Sequence, residues 1–502
     1  MIAGRIRHRS LAIALIALAI GVVTGEGYIP RLSNHDGYFL VAVAGEQVPP
    51  VTPPRHTYVI VIDGMRRDVA SALRAVQTTG AHGQCVTTDV GPLSLSRPVY
   101  AVLSTGLEQD RTGSRNNATR DPLAADSIWA RAREAGFFVS AYSELPWFQE
   151  LFPHAFEHYV TMEENSDLFA QLHLEVAREP SLTLMHPVYV DETAHAFGAA
   201  SDNYRNAAVR VDSEIMTLLN AIDWQRDLVV ITADHGHADA GGHGGRQPET
   251  AFVLTCFGGR GVLKAASAGA FDMRAVAPTL SLLLGVPFPR HMRATDDVLD
   301  SAFTLVEPSA FPEFYLNERR NVVARFRAEN LRYLETLGAE SWKDFYTSRA
   351  QLQWARAGAA FIFVLGLIVW RARHLGLLAW IVLQWVLTAS VIVVVTGGFD
   401  LTSIKQRGPF IGLTLAAASF SLMVFLFIHV RLMRARAIAN DLRTLVIATS
   451  LACLAHVFVY GWPLGFPLPG PQLLFVPLVS AMSLGVYIAA FVIAEWRRSA
   501  AD

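Results

Sequence analysis

Charge and cysteine are both scarce in this chain. Only 17% of its 502 residues are charged against 52% apolar, and the net charge is −2. That balance is too apolar for a soluble protein of this length. No basic stripe exists outside a few short loops, which excludes nucleic acid as a partner. The three cysteines, Cys85, Cys256 and Cys453, match no zinc-ribbon spacing. A Cys85–Cys256 disulfide is compatible with an oxidising compartment, but spacing alone does not establish it. No internal repeat is visible.

What the chain has instead is apolar length. Residues 11–23 form an uncharged apolar run preceded by Arg5, Arg7 and Arg9. Such a run is a signal peptide or a membrane anchor, and the lack of a small-x-small cleavage site directly after it favours an anchor over residues 1–25. Residues 26–56, with Pro49-Pro50 and Pro53-Pro54, read as an extended linker. Apolar stretches near 352–370, 375–396, 409–430, 444–460 and 472–494 predict a five-span membrane domain over 352–496, since about 20 apolar residues cross a hydrocarbon core. With a cytoplasmic N-terminus, Arg371, Arg373, Arg431, Arg434, Arg436, Arg443, Arg497 and Arg498 fall on the cytoplasmic side. The outer loops between spans carry only Lys405 and Arg407, so the positive-inside rule is obeyed. Residues 57–300 then face outward, and the charged, aromatic residues 301–351 form a helical connector.

The outward region is organised around Asp227 to Gly245. The β-branched run Val229, Val230 and Ile231 predicts a strand buried on both faces, with Asp234 and His235 at its carboxyl end, where open α/β sheets place ligands. His243 follows within a Gly-rich segment whose backbone folds tightly enough to bring several side chains to one point. Taken alone, this segment is as consistent with a solvated turn as with a metal site. Two further stretches favour the metal site. Val188-Tyr-Val-Asp-Glu-Thr-Ala-His195 is an apolar run ending in a carboxylate, and a helical turn there sets Asp191 and His195 on one face. Tyr58-Val-Ile-Val-Ile-Asp-Gly-Met is a strand carrying Asp63 at its end. Three strand-end acids and three suitably placed histidines suffice for two ions.

Between these stretches, Gly91 to Gly106 is a Ser-rich loop entering a predicted helix from Val99 to Ser104. A hydroxyl at a helix start is commonly a cap. Beside two metals it is also a nucleophile, because the helix N-terminus favours a bound phosphate and a metal lowers the hydroxyl pKa. Predicted helices over 66–76, 126–135, 203–222 and 275–284 alternate with predicted strands over 57–62, 137–142 and 251–257. That alternation indicates an α/β fold with a mainly parallel sheet.

These residues resemble the alkaline phosphatase superfamily, with its sulfatase-like and type I phosphodiesterase–nucleotide pyrophosphatase branches, and most of all the GPI ethanolamine phosphate transferases. The resemblance rests on Val-Ile-Asp-Gly-Met-Arg-Arg-Asp around Asp63, Ser96-Arg-Pro with Thr-Gly ten residues after the serine, Asp191-x-x-x-His195, and Asp234-His-Gly followed by Gly-His243-Gly. It covers about residues 55–290. It implies an alkaline-phosphatase-like sandwich beside an α-helical transmembrane bundle. It also implies one zinc on Asp191, His195 and His243, a second on Asp63, Asp234 and His235, and Ser96 as the nucleophile touching the second metal. Mn²⁺ suits the same ligands. Ser94 is the competing hydroxyl, and the ten-residue interval to Gly106 favours Ser96. Asn117 lies where the phosphodiesterase branch has an Asn that binds a phosphoryl oxygen.

The chain departs from the family in three ways. His237 stands where the family commonly has Met, no acid precedes Ser-Arg-Pro, and five C-terminal spans are fewer than the eukaryotic transferases have. A short, Arg-rich and Lys-poor chain points to a bacterial relative in an inner membrane, with its catalytic domain in the periplasm and an acceptor other than GPI. The expected activity is transfer of phosphoethanolamine from a phospholipid such as phosphatidylethanolamine to a glycan or lipid hydroxyl. Hydrolysis of a phosphodiester or phosphomonoester is the alternative, and a non-enzymatic lipid-binding or transport role is the remaining one.

Overall fold

A computed structural model of the chain describes residues 8–29, 31, 40–117, 121–163, 169, 178–265, 269–293, 296–371, 375–396, 407–432, 435–461 and 471–501. It divides into two compact units, one formed by residues 1–33 with 342–502 and the other by residues 34–341.

The second unit is built on an eight-stranded sheet. Its strands are β1 (His56–Val61), β2 (Gly83–Asp89), β3 (Phe138–Ser143), β4 (His158–Thr161), β5 (Ser181–His186), β6 (Leu228–Thr232), β7 (Phe252–Gly259) and β8 (Phe271–Asp272), in the order β4-β3-β5-β1-β6-β7-β2-β8. Only β7 runs antiparallel to its neighbours. The central strands β5, β1 and β6 are buried along their whole length, and β1 and β6 accordingly read as nearly continuous apolar runs. Because β5, β1, β6 and β2 all point the same way, the segments that follow them emerge at one edge.

Two predicted elements differ from the structure. The 66–76 helix is two short helices, Arg67–Ala70 and Arg74–Ala81. The break is fixed from outside the segment, since buried Asp212 on the helix Asp202–Leu219 accepts from the Ala75 N–H at 2.7 Å and so starts the second helix independently. The apolar run before Asp191 is not a strand. The strand is β5, ended by Pro187, and Val190 and Asp191 lie in the helix Tyr189–Phe197. The i, i+4 placement of Asp191 and His195 follows from that helix. Cys85 and Cys256 lie opposite each other on β2 and β7 and form a disulfide. The helix Glu313–Thr336 adds Tyr315, Leu316, Val322, Val323 and Phe326 to the core of this unit.

The first unit is helical. Among the described residues, four stretches are long and apolar enough to cross a membrane, His8–Tyr28, Phe410–Phe427, Ile438–Tyr460 and Val476–Ala500. The predicted spans at 352–370 and 375–396 lie in the helices Trp342–Arg371 and Leu375–Thr396. The N-terminal helix joins the bundle core, where Ala14 and Ala17 cluster with Leu442, Leu445, Leu484 and Phe491. Its Ser10 hydroxyl donates to buried Glu495 at 2.9 Å. The chain is therefore a membrane protein with a large α/β unit.

Candidate active site

The segments leaving β1, β2, β5 and β6 converge on one cluster. β1 ends one residue before Ile62, whose N–H donates to Thr232 O at 2.9 Å, and the Asp63 N–H donates to Pro187 O at 3.1 Å. These bonds tie the first loop to both of its neighbours. Gly64 continues the turn at φ +70°, and its N–H donates to Asp234 Oδ1 at 3.1 Å. A Cβ at Gly64 would lie 2.8 Å from the Asp191 Cα, so only glycine permits this approach.

Asp63, Asp234 and His235 make up the first part of the cluster. The two oxygens of Asp63 are used differently: Oδ2 accepts from the Tyr100 hydroxyl at 2.5 Å and lies 3.2 Å from His186 Nε2, while Oδ1 is buried with no hydrogen-bond partner. Asp234 repeats the pattern, with Oδ1 accepting from Gly64 and His235 N–H groups and Oδ2 buried and unpartnered. Both free oxygens face His235 Nε2, at 3.5 and 3.3 Å. The other ring nitrogen of His235, Nδ1, donates to Gly236 O at 3.1 Å, which leaves the Nε2 lone pair aimed at the two carboxylates. Three acceptor atoms converging without a proton between them are what a cation requires.

The second part holds Asp191, His195, His237 and His243. Asp191 Oδ1 lies 2.6 Å from His237 Nε2, and Oδ2 lies 3.4 Å from His195 Nε2. His195 Nε2 and His243 Nε2 are 3.1 Å apart. The His243 Nδ1–H donates to Ser94 O at 2.7 Å, so its Nε2 also presents a lone pair. Two groups of ligand atoms, on Asp63, Asp234 and His235 and on Asp191, His235, His237 and His243, each lie within 4.8 Å of one another. The residues present fit two metal ions.

The electrostatics agree with that fit. Burial pushes the Asp234 carboxyl well above the usual carboxylate range, and the Asp63 and Asp191 charges add to the push. Burial acts on Asp191 in the same direction, but the imidazoles of His237, His243 and His195 outweigh it and hold this carboxyl far below its ordinary value. Burial lowers His235 to about 4 and takes His243 well below the usual imidazole value. Neutral imidazoles with free lone pairs are ligands ready to bind, and like-charged buried carboxylates are relieved by a cation.

Ser96 opens the helix Ser96–Thr105, with Leu95 in the N-cap position and no side-chain cap bond. Its Oγ lies 3.2 Å from His235 Nε2 and 3.4 Å from Asn117 Nδ2. Asn117 Oδ1 accepts from the Arg97 N–H at 3.1 Å, which turns the amide NH₂ toward the serine. Ser94 is occupied elsewhere, since its hydroxyl donates to Gly245 O and accepts from the Gly244 N–H, both at 2.8 Å. It ties the Gly-rich loop, and with it His243, to the serine loop.

Residues 57–254 match the type I phosphodiesterase / nucleotide pyrophosphatase family. GPI ethanolamine phosphate transferase 1 of Neurospora crassa is 26% identical over 198 residues, 34% of this chain and 20% of the relative. GPI ethanolamine phosphate transferase 2 of Aspergillus fumigatus is 24% identical over 325 residues, 56% of this chain and 42% of the relative. The catalytic subunit of the human transferase 2 is 24% identical over 296 residues, 51% and 28% of the two chains. The chain thus spans less than half the length of these curated relatives. Among solved structures, murine ectonucleotide pyrophosphatase / phosphodiesterase 5 superposes over 46% of this chain and 95% of its own, with a TM-score of 0.41 and 15% identity. A 2-O GAG sulfatase superposes over 48% and 72%, with a TM-score of 0.38 and 17% identity.

All eight residues singled out in the sequence, Asp63, Ser96, Asn117, Asp191, His195, Asp234, His235 and His243, come together in one site. Three others at the site were not anticipated. Tyr100 stands four residues after Ser96 on the same helix, a spacing that already placed it on the face of the nucleophile loop. His186 ends β5, with Nδ1 2.8 Å from Ser143 Oγ and Nε2 2.7 Å from the Tyr100 hydroxyl. His237, read in the sequence as a non-ligand standing where the family commonly has Met, is fully buried against Asp191.

Proposed function

We propose that the chain is a two-zinc, membrane-embedded transferase that moves phosphoethanolamine from a phospholipid to a glycan or lipid hydroxyl through Ser96. The observation that carries this reading is the position of Ser96 Oγ, 3.2 Å from His235 Nε2, the one ring shared by both groups of metal-ligand atoms. Asp63, Asp234 and His235 hold one ion, and Asp191, His195 and His243 the other. When bound, the ions supply charge neutralisation at the nonbridging oxygens, a lowered serine pKa and stabilisation of the leaving oxygen.

The chain's own groups do the rest. Ser96 Oγ attacks phosphorus, the P–O bond to the diacylglycerol breaks, and the serine proton leaves with the diacylglycerol as its hydroxyl hydrogen. The Asn117 amide NH₂ holds the nucleophile oxygen and a phosphoryl oxygen. An acceptor hydroxyl then attacks the serine-bound phosphodiester, the P–O bond to Ser96 breaks, and the acceptor's proton returns to the serine. Phosphatidylethanolamine is the donor that a helical membrane unit and the GPI transferase relatives favour. The catalytic unit lies outside the cytoplasm, in the periplasm of a bacterial inner membrane, a placement supported by the arginine-rich inner loops and by the Cys85–Cys256 disulfide.

The test is incubation of the purified protein with head-group-labelled phosphatidylethanolamine and, separately, with a chromogenic phosphodiester. Label on an acceptor supports the transferase. Rapid diester hydrolysis with no acceptor-linked label makes the protein a hydrolase.

A second expectation concerns Tyr100, whose hydroxyl fixes Asp63 Oδ2 and so leaves Oδ1 for the ion. Tyr100→Phe keeps the ring stacked on Phe148, 4.4 Å between centroids, so the fold survives. Loss of the hydroxyl should weaken zinc retention about 10- to 100-fold. Chelator competition measures it, and wild-type retention would show that the hydroxyl does not support the ligand.

A further inference from the structure

The four imidazoles of the site are not equivalent, and on His235, His237 and His243 the place of the ring hydrogen is fixed by a backbone hydrogen bond. The Gly242 N–H donates to His237 Nδ1 at 3.0 Å. An N–H needs a lone pair opposite it, so Nδ1 is bare and the ring proton sits on Nε2. That Nε2 lies 2.6 Å from Asp191 Oδ1. His235 and His243 have the reverse arrangement, each giving its Nδ1–H to a backbone carbonyl and presenting Nε2 as a lone pair.

We propose that His237 is a positioning residue and not a ligand: its Nε2–H fixes the Asp191 carboxylate, so that Asp191 can hold an ion together with His195 and His243. The inference rests on the two-ion reading above.

The loop is shaped to hold this tautomer. Ala238 N–H to Gly242 O at 3.0 Å and Gly241 N–H to Ala238 O at 2.8 Å close a turn that brings the Gly242 N–H back over the ring. Gly241 and Gly242 have φ of +77° and +141°, conformations that side chains rarely adopt. A Cβ on Gly241 would lie 2.1 Å from Ala194 O, on the same helix as Asp191 and His195. The turn that sets the His237 proton is thereby clamped against the element that carries two of the ligands. On the opposite side the backbone of Gly64 lies close against the ring, where a Cβ would come within 2.9 Å of His237 Nε2.

The experiment measures zinc stoichiometry and affinity, by competition with a chromophoric chelator, for full-length wild-type protein, His237→Gln and His237→Met. Glutamine retains an N–H donor within reach of Asp191 and is a poor zinc ligand, whereas methionine fills the space with no donor. Two ions bound near wild-type affinity in the Gln variant, with one ion weakened about 10- to 100-fold in the Met variant, is the expected result. If Gln loses an ion as fully as Met, His237 is a ligand and the proposal is overturned. If Met holds both ions at wild-type affinity, the positioning role is overturned. Wild-type protein that takes up no zinc overturns the two-ion reading, and the proposal with it. Should the Met variant fail to fold, nitrogen NMR of the wild-type histidine rings decides. A proton on His237 Nε2 supports the proposal, and an unprotonated Nε2 contradicts it.

Discussion

Replacing Ser96 with alanine is expected to abolish turnover while both ions stay bound. Loss of a covalent nucleophile removes several orders of magnitude from turnover, because the other groups of the site act only through it. A capping serine behaves differently, since its loss costs about 1 kcal/mol of stability and little chemistry. The structure separates the two cases, because the N-cap position is Leu95 and Ser96 Oγ faces His235 and Asn117. Ser96→Thr should retain part of the activity, with its hydroxyl in the same place. Ser94→Ala is the informative control. It removes two buried hydrogen bonds, to Gly244 and Gly245, and should destabilise the fold by roughly 1–3 kcal/mol without removing the nucleophile. Turnover measured beside zinc content and unfolding distinguishes the three variants. An active Ser96→Ala protein would move the nucleophile elsewhere in the loop.

Removing a ligand should produce the converse result. Asp191→Ala or His243→Ala is expected to leave one ion per chain in place of two, with most turnover lost and the fold and membrane insertion preserved. Both residues follow the carboxyl edge of the sheet, while the core is carried by β1, β5 and β6. Elemental analysis beside circular dichroism measures both effects, and a variant with wild-type turnover rejects that position as a ligand.

Much of this site could be read in the sequence because β1 and β6 are nearly continuous apolar runs whose ends are marked by acids. Asp63 and Asp234 follow β1 and β6 directly, and those strands hold no polar interior residue except Thr57 and the terminal His56 and Thr232. β5 was harder to see, because Ser181 and Thr183 alternate with its apolar residues and find buried hydroxyl or imidazole partners on β3 and β1. The apolar run Val188 to Val190 therefore looked like the strand. The break in the 67–81 helices depends on Asp212, a residue more than 130 positions away, and no local pattern signals it. Tyr100 and His186 were missed for the same reason, since their importance lies in the oxygen of Asp63 that they occupy. The Cys85–Cys256 bond depends on the register of β2 against β7, which only the folded sheet defines.

The central claim, transfer of a lipid head group through Ser96, is tested most directly by trapping the intermediate. Full-length protein incubated with phosphatidylethanolamine at low acceptor concentration, quenched and digested, should yield one peptide with a phosphoethanolamine mass increment on Ser96, lost on addition of acceptor. An increment on Ser94, or donor turnover with no modified serine at any time, would contradict it.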